Sequence, residues 1–178
     1  MNRKPHVAVV GATGAVGIEM IKTLEKRNFP VGKLTLLASA RSVGKKLKFR
    51  GEDVTVKELK KDSFGGIDIA LFSAGGAISK EYAPIAAKAG CVVIDNSSAF
   101  RMDEKVPLVI PEINAADVKW HKGIIANPNC TTAVTLMALY PLHAAFGCKR
   151  IFASSYQAVS GTGAKAIAEL ERQVDQIV

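Results

Sequence analysis

The order of apolar runs in this chain predicts an α/β fold: a Rossmann-like, doubly wound, mostly parallel sheet, followed by the beginning of a second α+β domain. Three observations carry that expectation. Continuous apolar runs of strand length alternate with stretches of helical spacing. The first run ends on a glycine-rich turn that opens directly into a helix. The last stretch, from residue 149 on, departs from the alternation.

"HVAVVG" (6–11) is apolar throughout and closed by glycine, as a strand buried on both faces should be. In "AVGIEMIKTLEKRNF" the apolar residues Val16, Met20, Ile21 and Leu24 recur at helical spacing. "LTLLAS" (34–39), "IDIALFSA" (67–74) and "CVVIDNS" (91–97) read as further buried strands. Between the last two, "ISKEYAPIAAKAG" is helical despite its internal proline, with Gly90 as its stop. "GIIAN" (123–127) is another strand and "TTAVTLMALYPLHAAF" another helix. The final segment reads as a longer strand, a glycine-containing turn and a helix that nothing closes. These features predict residues 1–148 as a dinucleotide-binding domain. Residues 149–178 are expected to be the first strand and helix of a second domain, cut short.

Composition narrows the class. With 48% hydrophobic and 22% charged residues, the 178-residue chain has the balance of a soluble globular protein with a sizeable core. No apolar run approaches the ~20 residues that span a bilayer, and the start lacks a signal-peptide pattern, so the expected location is the cytoplasm. Three widely spaced cysteines, Cys91, Cys130 and Cys148, without a CxxC, favour neither a disulfide framework nor a metal site. Cys91 and Cys148 lie beside strand-like runs, where a free cysteine acts as a small hydrophobe. The formal charge is +8, and lysines cluster in "VGKKLKFRGEDVTVKELKK", which mixes in acids and reads as solvated surface. No nucleic-acid recognition motif accompanies it, whereas a basic balance suits small anionic ligands such as phosphorylated cofactors and acyl phosphates.

The glycine-rich turn, "VVGATGAVGIEM", places Gly11, Gly14 and Gly17 between the first strand and the first helix. Glycines there permit a tight turn and a close backbone approach to a pyrophosphate resting on the positive end of the helix. The spacing is G-x-x-G-x-x-G rather than G-x-G-x-x-G, so the strand–turn–helix context carries much of the argument. At the end of the second strand an NAD enzyme commonly places an acid to hold the ribose 2′-hydroxyl. This chain instead offers Ser39, Arg41 and Ser42, with Lys45 and Lys46 behind them. A guanidinium and hydroxyls suit a 2′-phosphate, which predicts NADP as the cofactor.

For the chemistry, a tyrosine-dependent reductase needs a lysine four positions after its tyrosine. Tyr82, Tyr140 and Tyr156 are followed at that distance by Ala, Ala and Ser. Cys130 is the better candidate. It follows a strand and opens a helix, where peptide dipoles and free N–H groups favour a thiolate. A thiolate there could attack an aldehyde or an acyl phosphate.

Seven stretches in this order, "GATGAVG", "LASARSVGK", "ALFSAGG", "DNSSAFRM", "VPLVIPEIN", "NPNCTT" and "SYQAVSGTGAKA", resemble the aspartate-semialdehyde dehydrogenase family along the whole chain. The resemblance implies that Cys130 forms an acyl-thioester, that Asn129 and Arg101 help to hold phosphate, and that Gln157 positions the substrate. It also implies that Thr13, Gly14, Ala15 and Val16 contact NADP, with Arg41 and Ser42 toward the adenosine phosphate and Ser160 and Gly161 toward the nicotinamide. The implied reaction is reductive dephosphorylation of L-aspartyl 4-phosphate to L-aspartate 4-semialdehyde, releasing inorganic phosphate. That step feeds lysine, threonine, methionine and diaminopimelate synthesis. The implied assembly is a homodimer.

Family members are roughly twice this long, and their acid/base histidine and substrate-carboxylate arginine lie further along. His6, His121 and His143 are not assigned that role. Two alternatives stand beside this reading. N-acetyl-glutamyl-phosphate reductases share the chemistry but resemble an "NPGCY"-type motif where this chain has "NPNCTT". A non-catalytic NADP-binding module is the other.

Overall fold

The computed structural model describes residues 3–177. Residues 1, 2 and 178, the outer limits of the two predicted segments, lie outside the described residues.

Strand β1 (His6–Val10) is the hub of the sheet. Its continuous apolar run is explained by burial on both faces. Val7 and Val9 pack into one core cluster, with Ile21, Leu36 and Val56. Ala8 and Val10 pack into the other, with Phe72, Ala83, Ala86 and Val93. Helix α1 (Ala15–Lys26) covers the first face and α2 (Gly76–Lys88) the second, and the short α3 (Pro111–Asn114) and the longer α4 (Cys130–Phe146) follow along the chain. Strands β2 (Lys33–Ala38), β3 (Lys46–Phe49), β4 (Glu52–Glu58), β5 (Ile69–Phe72), β6 (Val92–Asp95) and β7 (Ile124–Ala126) complete a seven-stranded sheet in the order β3-β4-β2-β1-β5-β6-β7. Every pairing is parallel except β3–β4.

The chain leaves β1 for β2 on one side and later returns to β5 on the other. That reversal is the switch point at which open α/β sheets bind ligands, beyond the carboxyl ends of the strands. Helix α2 tolerates Pro84 and ends as its sequence suggests. Gly90 turns at φ +90°, Gly90 N–H donates to Ala87 O at 3.0 Å, and Cys91 N–H donates to Ala86 O at 3.1 Å. This is a Schellman closure.

Two sequence expectations change. The lysine-rich stretch read only as solvated surface is the β3–β4 hairpin. Its two-residue turn, Arg50 (φ +52°) and Gly51 (φ +83°), has the double positive φ that matches strand twist. Arg50 is held in that unusual conformation by its own side chain, which donates to Phe29 O at 2.6 Å and Val31 O at 3.3 Å. The strand expected from residue 149 does not form a ladder. Residues 148–158 are exposed and no described segment pairs with them, and a strand exists only through partners. The turn and helix after it are present, as a 3-10 turn at Val159–Thr162 and α5 (Ala164–Asp175).

Candidate active site

At the switch point, the three glycines have distinct reasons. Gly11 turns at φ +86°, and a Cβ there would sit 2.7 Å from the Ser73 carbonyl carbon at the end of β5. Gly17, inside α1, would drive a Cβ to 2.9 Å from both Gly11 C and Ala12 Cα. Only a glycine lets the helix lie this close to the loop. Gly14 is the N-cap of α1 and offers no capping side chain, and the first helical turn contains no acid. The helix therefore presents its positive end without internal neutralisation, which fits a pyrophosphate. Thr13 Oγ1 lies 3.1 Å from Ser42 Oγ, joining this loop to the turn Ala40–Ser42 that follows β2. Ser39 caps that turn, and Ser39 and Arg41 are exposed beside it. Thus Gly11, Thr13, Gly14, Ala15, Val16, Gly17, Ser39, Arg41 and Ser42 belong to one end of the sheet.

A second cluster surrounds Cys130. Helix α4 (Cys130–Phe146) is capped by Asn129, whose Oδ1 accepts from Thr131 N–H at 3.0 Å and Thr132 N–H at 3.3 Å. This Asn cap fixes Cys130 as the first helical residue, exposed at the helix start. Gln157, 27 residues later, directs its Nε2 to Cys130 Sγ at 3.8 Å. Its Oε1 accepts from Thr131 Oγ1 at 3.1 Å. Ser160 and Gly161 line the same open groove of about 460 Å³.

Arg101 is reached from the polar runs after β6 and β7. Its Nε donates to Asn127 O at 2.9 Å and its Nη2 to Asn96 O at 3.0 Å. The guanidinium thus ties together the two loops that end at "DNS" and "NPN". Asn127 Nδ2 also donates to Asn96 Oδ1. Beneath them, fully buried Asp95 accepts from Ser79 Oγ at 2.6 Å and Ser97 Oγ at 2.7 Å. Sequence reading singled out neither these residues nor Thr131. The available signal was a short polar run immediately after each buried strand, where side chains reach back to satisfy loop backbone.

The other cysteines separate from Cys130. Cys91 is only 1% exposed. Burial, followed by the nearby Asp68 charge, pushes its thiol up to about 12. It is a packing residue, as expected. Cys148 is exposed instead of packed, because the strand that would have enclosed it does not pair. The histidines are engaged away from Cys130. His6 bonds Thr35 Oγ1 at 2.8 Å and Gly66 O at 3.0 Å, while His121 and His143 each accept a nearby backbone N–H through Nδ1.

Comparison with known proteins fits this geometry. The family model "Semialdehyde dehydrogenase, NAD binding domain" matches residues 6–121, and "Semialdehyde dehydrogenase, dimerisation domain" matches 139–178. The chain is similar to the aspartate-semialdehyde dehydrogenase of Bacillus subtilis, with 56% identity over all of this chain and 51% of the relative. Its fold matches the Vibrio cholerae aspartate semialdehyde dehydrogenase II complexed with ASA at a TM-score of 0.94. That match has 47% identity over 99% of this chain and 53% of the other. It also matches the Candida albicans aspartate semialdehyde dehydrogenase with NADP at 0.64, with 28% identity over 81% of this chain and 48% of that one. The chain spans about half the length of the curated relatives it matches. Because the first of these models alone matches well over half of the chain, the chain belongs to the semialdehyde dehydrogenase family.

Proposed function

We propose that this chain carries the NADP-binding end and the nucleophile of an aspartate-semialdehyde dehydrogenase. The observation that carries the reading is the meeting of Cys130 Sγ and Gln157 Nε2 across 27 residues, at the start of a capped helix. In this reading the Cys130 thiolate attacks the acyl carbon of L-aspartyl 4-phosphate and inorganic phosphate departs with the bonding pair, leaving a thioester. Arg101 and Asn129 steady the phosphate, and Gln157 holds the acyl group against the sulfur. When bound, NADPH supplies hydride to that carbon. With that carbon reduced, the Cys130 thiolate would be the leaving group that frees L-aspartate 4-semialdehyde. The names of the relatives favour the aspartyl substrate over an N-acetylglutamyl one.

The cofactor end would be held by the Gly11–Gly17 loop, with Arg41, Ser39 and Ser42 on the 2′-phosphate and Ser160 and Gly161 toward the nicotinamide. The Candida relative's NADP supports the phosphorylated cofactor. Residues 1–148 form the nucleotide domain in this proposal, and 149–178 open a domain through which the complete protein pairs as a homodimer. The expected place of action is the cytoplasm, and no described helix is long and apolar enough to cross a membrane.

Two measurements test the halves separately. In the complete protein, Cys130→Ser should abolish the acyl adduct seen by intact-mass spectrometry after mixing with acyl phosphate; continued dehydrogenase turnover would remove Cys130 from the mechanism. In calorimetric titrations, Arg41→Ala should weaken NADP by about tenfold or more, the scale of a hydrogen bond to a charged group, and leave NAD nearly unchanged. Equal losses for both cofactors would remove Arg41 from the 2′-phosphate.

A further inference from the structure

We propose that Thr131 is a positioning residue that anchors the Gln157 carboxamide against Cys130, and that Gly161 is the spacer that lets the carboxamide lie there. This rests on the reading of Cys130 as the nucleophile and adds the device that aims its neighbour.

A carboxamide has two ends of nearly equal shape and opposite hydrogen-bonding sense. Turned one way, Gln157 donates an N–H to the sulfur; turned the other, it sets a carbonyl oxygen against it. Gln157 sits in the irregular stretch 148–158, which has no ladder to fix it. Its placement therefore follows from what its side chain touches. Two of those contacts come from adjacent residues of one capped helical turn. Thr131 Oγ1 lies 3.1 Å from Oε1 and Cys130 Sγ lies 3.8 Å from Nε2. A threonine hydroxyl can donate or accept, but a thiolate can only accept. The arrangement that satisfies both has Thr131 donating to Oε1 and Nε2 donating to sulfur. The two bonds reinforce each other, since a donor on the amide oxygen polarises the N–H.

Gly161 supplies the independent observation. Its φ lies outside the left-handed region, so its conformation does not call for glycine. Space does. A Cβ at this position would fall 3.1 Å from Gln157 Cδ and overlap Nε2. Because the obstructed atoms are the tip of a flexible side chain, a methyl group would push the carboxamide off the sulfur and leave the turn intact.

The test is alkylation of the native chain by iodoacetamide at neutral pH, with modification of Cys130 and Cys148 followed by peptide mass spectrometry. Exposed Cys148 serves as the internal reference. A donated hydrogen bond changes a thiolate's abundance and its intrinsic reactivity in opposite senses, so the net effect is modest, about threefold. Thr131→Val, Gly161→Ala and Gln157→Ala should each lower the Cys130 to Cys148 ratio by about that factor. Thr131→Ser should restore it, and Thr131→Val with Gln157→Ala should go no lower than Gln157→Ala alone. An unchanged ratio in Thr131→Val beside a lowered one in Gln157→Ala would overturn the anchoring role, as would additive losses in the double variant. An unchanged ratio in Gln157→Ala would overturn the whole device. None of these results depends on the acyl adduct, by which the nucleophile assignment stands or falls separately.

Discussion

Gly17 in the sheet region, residues 6–126, and Gly161 in the segment 130–175 exclude a side chain in opposite ways. At Gly17 the atoms that exclude a side chain are backbone, at Gly11 and Ala12. At Gly161 they are the end of Gln157. The first region is a core in which both faces of β1 are buried, and the shape of its glycine loop follows from packing. In the second, neither α4 nor α5 has a buried residue, and the groove at Cys130 is shaped by a few polar contacts. Helix α4 is nonetheless apolar on all sides, with Val134, Met137, Leu142 and Phe146 exposed. A helix of that kind is built for burial, and the described residues do not supply the surface that would cover it. One end of the molecule is therefore rigid by packing and the other adjustable by hydrogen bonding.

Alanine at these two glycines gives the largest expected effect and would break the comparison if it failed. Helix propensity alone favours Gly17→Ala by about 1 kcal/mol, since Gly17 is inside α1. The backbone overlap works against that gain and outweighs it. Gly17→Ala should therefore destabilise by about 2–4 kcal/mol in urea unfolding, in the range of core overpacking and backbone strain. Gly161→Ala should shift the same midpoint by no more than about 0.5 kcal/mol, as a surface change does. If Gly17→Ala were neutral or stabilising, the loop would be loose, and the contrast between the two ends would disappear.

The same contrast decides what the sequence made legible. Strand β1 could be read from its unbroken apolar run because burial on two faces leaves no polar alternation. Helix α2 could be read through Pro84 because Gly90 marks its stop. The β3–β4 hairpin was hidden by its lysines, although Leu47, Phe49, Val54 and Val56 alternate on either side of Arg50–Gly51. Charges on the outer positions of an edge hairpin mask a period-2 signal that a central strand displays. The pattern of residues 149–157 suits a strand, but strands are made by pairing, and local pattern does not say whether a partner is present. Cys130 stood out by its residue type and its place before a helix. Thr131 did not, because a threonine in a helix's first turn is common and its bond to Gln157 spans 26 residues. Arg101 was legible as a cation, while its grip on the Asn96 and Asn127 carbonyls depends on β6 and β7 lying side by side.

A smaller effect sharpens the comparison through the cysteines. Cys91 is enclosed by the sheet region, and its thiol is held up at about 12 against an ordinary value of 9.0. The cause is burial first and the Asp68 charge second. A group whose folded value is raised contributes stability in full below its unfolded value and loses that contribution as pH rises toward the folded one. Between about pH 9 and 12, the unfolded chain releases the Cys91 proton while the folded chain keeps it. Unfolding is favoured as pH rises through that window, with a slope for this group of at most about 1.4 kcal/mol per pH unit. The signal is the difference between the parent and Cys91→Ala, in which the contributions common to both chains cancel. Urea midpoints should fall more steeply with pH in the parent, and the two curves should converge or cross as pH climbs. Parallel curves for the parent and Cys91→Ala would mean that the Cys91 thiol ionises in the folded chain as readily as in the unfolded one, and the sheet region would then be open where its packing says it is closed.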